Sequence, residues 1–184
     1  MVKISLDKYP KSDYTSKSPI SDLFFCEEPD PLEPENNLSP NALLEIENRQ
    51  YNETNLLYHT TAALFGLSDT VFWVLYSLYG SDTPQTQAQM SAGWCLPKQT
   101  LNSAVRGMVE QGLVKLTPAP GCKHGKLLSL TEAGRTLAEK TVAQVIRAEE
   151  NAMRRMGLER ARQNLALGAE YLQLLRAEFA QLET

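Results

Sequence analysis

Between Leu96 and Val109 the apolar residues Leu101, Ala104, Val105, Met108 and Val109 recur at helical spacing. That repeat predicts a helix with one buried face. Its opposite face carries Lys98, Gln99, Asn102, Ser103 and Arg106. Pro97 suits the first turn, where a missing N–H costs nothing, and Gly112 stands where a left-handed cap is expected. Two short apolar stretches follow, LVKL at 113–116 and KLLSL at 126–130, and both are read as strands. A Pro/Gly loop with Lys123 and His124 joins them, and Lys126 opens the second strand.

The rest of the chain supplies helices around this unit. Residues 41–66 predict a helix from Asn41 to a stop at Gly66, with a long, interrupted apolar surface that includes Leu43, Leu44, Leu56 and Leu57. Ser68 is placed to cap a second helix through Tyr79, which is apolar nearly all round and therefore expected at the centre of the core. Thr83-Pro84 is expected to open a third, short helix over QTQAQMSAG, so residues 87–112 form a helix-turn-helix. After the strands, LTEAGR is expected to start a long helix capped by Thr131 and running to about Met156. Gly157 breaks it, and a last helix covers 158–183, with Leu165, Leu172, Leu175 and Phe179 as its stripe. The fold class expected is mainly α with a small β-hairpin wing: a winged helix-turn-helix plus terminal dimerisation helices. The two terminal helices exceed what a reading unit of this size can cover, and a second copy of the chain is the simplest partner for their apolar faces, giving a homodimer.

Composition alters this picture in three places. The net charge of −4 hides a division: residues 20–45 carry −7, whereas residues 84–140 carry +4. A duplex responds to local potential within a Debye length of about 8 Å at physiological salt, so the acidic average does not exclude nucleic acid. Cationic, amide and hydroxyl groups on one helix face are suited to phosphates and base edges, which makes double-stranded DNA the expected partner. Residues 1–40 hold six of the ten prolines and little periodicity, and are read as an acidic, Pro-rich extension preceding a single domain over 41–184. Within that domain the reader spans 67–131, with dimerisation helices at 41–66 and 132–184. No apolar run is long enough to span a bilayer, no secretory h-region opens the chain, and Cys26, Cys95 and Cys122 lack metal or disulfide spacing. A cytoplasmic protein without a membrane partner is expected.

The string LPKQTLNSAVRGMVEQGLV, followed by a turn and KLLSLTEAGRTLAEK, resembles the MarR (multiple antibiotic resistance regulator) family over roughly residues 41–183. The resemblance implies a transcriptional regulator that dimerises through its terminal helices. It implies a recognition helix in the major groove and a wing in the minor groove. Many such proteins are repressors released by small phenolic or other lipophilic ligands, and some respond to oxidation. Carried over by position, Lys98, Gln99, Thr100, Asn102, Ser103 and Arg106 face the major groove, and Lys123, His124 and Lys126 belong to the wing. Where many members have Asp-x-Arg at the wing tip, this chain has Cys122 and His124. Histidine reaches less far and is only partly charged near neutrality.

Other chemistry is thin. Phe72, Trp73 and Tyr76 are candidates for a ligand pocket between the reader and the dimerisation helices, or else ordinary core. Thr100 is equally suited to local capping. Cys95 and Cys122 invite a redox role but lack a visible resolving partner. Two histidines, His59 and His124, without a carboxylate cluster make no metal site, and no catalytic motif or cofactor signature occurs. No enzyme activity and no cofactor are expected. The rival reading is a winged-helix protein-interaction module with weak or lost DNA binding, motivated by the altered wing tip and the acidic stretch at 20–45.

Overall fold

The computed structural model describes residues 38–81, 83–119 and 125–182. The N-terminal extension through residue 37, and with it Cys26, lies outside the described residues, as do Cys122, Lys123 and His124 at the wing tip. Two compact units are distinguished, Met1–Thr61 and Ala62–Thr184. Helix α1, Pro40–Leu64, begins in the first unit, where the Ser39 hydroxyl accepts from the Ala42 N–H (3.3 Å). In that unit Leu43, Leu44, Leu56 and Leu57 are all exposed.

The second unit is built on α2, Asp69–Tyr79. Ser68 caps it as expected, accepting from the Val71 N–H, and Phe72, Val74 and Leu75 are fully buried. Helix α2 packs on α4 (Lys98–Glu110), α5 (Glu132–Lys140), α6 (Val142–Met156) and β3 (Lys126–Leu130). The core is completed by Met90 of α3 (Gln87–Gly93), Leu101, Val105 and Met108 of α4, Val114 of β2 (Val114–Pro118) and Leu128 of β3. Helix α7, Leu158–Phe179, follows Gly157 (φ +90°).

Several boundaries differ from those expected. The short helix starts at Gln87, not at Thr83-Pro84, and its cap is Thr86. The Thr86 hydroxyl accepts from the Gln89 N–H (3.2 Å), and the Gln89 side chain accepts from the Thr86 N–H (2.8 Å), a reciprocal capping box. The residues before it, Gln85–Thr86, form a two-residue strand, β1, paired antiparallel with Leu127 and Leu128. Gln85 is held there by the buried Ser77 hydroxyl, which donates to its side-chain oxygen (2.9 Å). The sheet order is therefore β1-β3-β2, with the second wing strand in the middle. Strand β2 runs one residue later and further than expected, ending where Pro118 pairs with Lys126.

The helix expected from Thr131 to Met156 is two helices. Thr141 breaks it with φ −127° and ψ −92°, is itself buried, and satisfies its hydroxyl on the Leu137 carbonyl (2.7 Å). Beyond the break α6 packs along α2, and its first residues, Val142 and Ala143, are buried. Periodicity alone runs smoothly through a threonine, so only tertiary packing marks the turn. Finally, α7 ends at Phe179, and Pro97 precedes the first residue of α4 instead of occupying its first turn.

The end of α4 is the most constrained place in this unit. Gly112, at φ +70°, closes a Schellman cap: its N–H donates to Val109 (3.0 Å) and that of Leu113 to Met108 (2.9 Å). Thr131 then clamps the same turn, its hydroxyl donating to the Gly112 carbonyl (2.6 Å) and its N–H to Leu113 (3.0 Å). The Thr131 hydroxyl also caps α5 by accepting from the Gly134 N–H (3.1 Å). A methyl group at Gly134 would overlap the backbone carbonyl of Leu113, so α5 reaches this position only with a glycine there. Gly134→Ala is expected to cost about 2–3 kcal/mol through forced displacement of backbone. A urea-denaturation midpoint matching the parent's would show that the junction yields more easily than this packing implies.

Candidate nucleic-acid interface

Helix α4 buries Leu101, Val105 and Met108 and leaves Lys98, Gln99, Thr100, Asn102, Ser103 and Arg106 exposed. At 3.6 residues per turn, Lys98, Gln99, Asn102, Ser103 and Arg106 share an arc of roughly 140°, while Thr100 stands at its edge. Five of the six expected α4 contacts thus lie on one face, opposite the buried stripe. No side chain caps the helix at Pro97, so its first-turn N–H groups add positive potential beside the Lys98 ammonium. The only carboxylate on the helix is Glu110, 3.9 Å from Arg106. Both side chains are more than 70% exposed, and a pair so long and so solvated does little to hold the guanidinium.

The wing continues this surface in part. Lys126 is exposed at the start of β3, and the expected contacts Lys123 and His124 lie outside the described residues. Lys115 and Thr117 project from β2 between the buried Val114 and the half-buried Leu116. Sequence reasoning passed over Lys115. The alternation of VKLTP was its signal: a period of two puts Val and Leu on one side and Lys and Thr on the other.

Phe72, Trp73 and Tyr76 are brought together, but in a cluster with a fourth ring that the sequence reading missed. Trp94, the residue that ends α3, stacks on Trp73 (4.7 Å between centroids, 26°) and meets Tyr76 edge-on (5.4 Å, 81°). Trp73 also meets Phe72 and Tyr76 edge-on, at 5.1 and 5.6 Å. Phe72 is fully buried; Trp73, Tyr76 and Trp94 are partly exposed. The Tyr76 hydroxyl donates to Glu149 of α6 (2.5 Å), which ties the cluster to the helices that follow the wing. No local pattern marks Trp94, because it sits between two helices where no periodicity runs.

Cys95 is exposed in the same connection, with φ +51°. His59 lies on α1, and among the described residues no group of three His, Cys, Asp or Glu is placed to hold a metal. Among them, too, no single helix is long and apolar enough to cross a membrane.

This order of elements, with an exposed polar helix ahead of an antiparallel hairpin, is shared with known proteins. Residues 65–122 match the family model of the MarR family. Over that segment the chain is similar to the MarR family. NMB1585, a MarR family regulator from Neisseria meningitidis, is similar in structure with a TM-score of 0.66 at 22% identity, over 76% of this chain and 97% of that one. The DNA complex of S. aureus MepR is similar at TM-score 0.54 and 16% identity, over 76% and 99% of the two chains. NadR in complex with 4-hydroxyphenylacetate gives 0.57 and 16%, over 73% and 94%. No curated protein sequence matches the chain. The MarR-type fold thus extends well beyond the segment matched by the family model.

Within this winged helix the aromatic cluster fastens the helix-turn-helix connection. Trp94→Ala removes a stacked and an edge contact together, and is expected to lower stability by about 2 kcal/mol, below a fully buried tryptophan because the ring is partly exposed. It is also expected to abolish most of the near-ultraviolet circular dichroism from the stacked indoles. A near-ultraviolet spectrum equal to the parent's would mean that the two rings are not held together in solution.

Proposed function

We propose that the protein is a sequence-specific, DNA-binding transcriptional regulator that works in the cytoplasm as a homodimeric repressor of a pseudo-palindromic operator. The observation that carries this reading is the exposed polar arc of α4, poor in carboxylates and opposed to a fully buried stripe. Lys98, Arg106, Lys126 and the wing-tip Lys123 would supply phosphate contacts, with Gln99, Asn102 and Ser103 reading base edges. Thr100 has a peripheral role, and His124 stands in for the wing-tip arginine of other members. The DNA complex of the similar MepR supports this assignment.

Homodimerisation is supported by apolar surface on the two terminal segments. Leu165, Leu172 and Phe179 of α7 are 61%, 46% and 60% exposed, and five leucines of α1 are exposed likewise. In this reading residues 41–66 and 132–184 are the dimerisation helices, 67–131 the reader, and 1–40 an acidic extension. A small lipophilic or phenolic effector is proposed as the releasing signal, at the aromatic cluster containing Phe72, Trp73 and Tyr76. The 4-hydroxyphenylacetate complex of the similar NadR supports that class. A regulator of this kind acts by binding and not by catalysis.

Fluorescence anisotropy with DNA from upstream of the protein's own gene, against a scrambled duplex, tests the reading. Specific binding should exceed non-specific binding about 10³-fold and weaken steeply between roughly 0.05 and 0.2 M salt. Arg106→Ala should weaken binding several-fold and reduce the salt slope by about one per reader. Equal, weak binding to both duplexes, repeated across a genomic DNA selection, would favour the interaction module instead, for which the Cys122 and His124 wing tip is the motive. For the dimer, sedimentation of the full chain should give twice the chain mass, and Leu165→Asp with Leu172→Asp should give the monomer. A parent protein that sediments as a monomer at micromolar concentration would rule out the proposed assembly.

A further inference from the structure

We infer that Glu149 is a positioning residue for the recognition helix, acting through Tyr76 and Trp94. The inference rests on the DNA-reading role of α4 proposed above and adds a route by which the terminal helices bear on it. Glu149 lies on α6 and is half-buried, and it accepts the hydroxyl of Tyr76 at 2.5 Å. Its neighbour Glu150 turns the other way, to Arg154 (2.8 Å). The Tyr76 ring stands edge-on to Trp94, whose other contact is the stack on Trp73.

Between Trp94 and the start of α4 there is little slack. The Trp94 N–H donates to Met90 (3.0 Å), ending α3. Cys95 is in the left-handed region, and Leu96 is held at both ends: its N–H donates to the Ser91 carbonyl (3.1 Å) and its carbonyl accepts the Ser91 hydroxyl (2.7 Å). Pro97, with its restricted φ, then leads into Lys98. A shift of the Trp94 ring therefore passes to the first turn of α4, having few free torsions in which to dissipate.

Helices α2 and α6 also meet through apolar groups, with Ile146 lying near Gly80 at the end of α2. A carboxylate brought into a half-buried contact carries a desolvation cost that plain packing avoids. What it adds is direction, since a charge-assisted hydrogen bond sets where the phenol and its ring lie. Helix α6 leads through Gly157 into α7, which carries the proposed dimer seam, so movement of that seam changes where Glu149 holds Tyr76.

The test is a double-mutant cycle on the full chain with Tyr76→Phe and Glu149→Met, a residue of similar length with no strong acceptor. Two readouts are taken where far-ultraviolet circular dichroism matches the parent: emission of the only two tryptophans, Trp73 and Trp94, and affinity for the upstream duplex. Each single variant should shift the emission and weaken DNA binding roughly 3- to 10-fold, less than the whole of a charge-assisted hydrogen bond because the bond reaches the duplex only through Trp94. The double variant should be no worse than either single one, and Glu149→Gln, which keeps an acceptor oxygen, should recover most of both signals. Additive effects, or emission unchanged by Glu149→Met, would overturn the inference. The emission cycle needs no DNA. A parent protein that binds no duplex would therefore sink the DNA-reading role and leave the coupling to be decided by emission alone.

Discussion

Everything on the exposed side of the reader depends on one junction, where the turn after α4 meets the start of α5. Thr131 donates to that turn through both its hydroxyl and its N–H, and the same hydroxyl caps α5. Gly134 lets the new helix approach until backbone nearly touches backbone at Leu113. Because Leu113 leads directly into β2 and Thr131 directly follows β3, the clamp closes the base of the wing as well. One set of contacts therefore sets the direction of α4, the hairpin and α5 together. A loose junction would let the polar arc and the wing drift independently, and a surface proposed to meet a rigid duplex gains most from being held in advance.

The second anchor of α4 lies at its other end and is chemically different. There four aromatic rings gather at the helix-turn connection, and a tyrosine–glutamate bond joins them to α6. The C-terminal anchor is made of backbone groups and short side chains and has little room to change. The N-terminal anchor is made of large, partly exposed rings held by stacked and edge-on contacts. The two ends of α4 are thus held by different chemistry, backbone hydrogen bonds at Gly112 and Leu113 and ring contacts beside Lys98 and Gln99.

Charge is distributed to match. The segment that includes α4 and the wing is the only long stretch with a clear positive balance, while the residues before it are acidic. On α4 the polar arc is kept nearly free of carboxylate, with Glu110 at the far end and only loosely associated with Arg106. The fold turns a modest excess of positive charge, spread along the sequence, into a face.

Much of this was written in local pattern. The stripe of Leu101, Val105 and Met108 determined which side of α4 is buried, because a helix repeats every 3.6 residues wherever it packs. Ser68, Thr131 and Gly112 carried their capping roles for the same reason, since a cap involves neighbours only a few residues away. Features joining distant residues were invisible. Strand β1 exists because Leu127 and Leu128 lie beside Gln85, and the true cap, Thr86, follows from where that strand ends. Thr141 breaks a helix that its own sequence would continue, because α6 packs along α2. Trp94 joins the aromatic cluster only once α2 and the helix-turn connection are side by side. The sequence by itself determined most of the elements, the caps at Ser68, Thr131 and Gly112, and the polar face of α4, all matters of short-range geometry. Tertiary structure alone decided which rings meet, where the helix after the wing turns, and that Glu149 reaches Tyr76 across 73 positions of chain, because separation along a chain carries no distance in space.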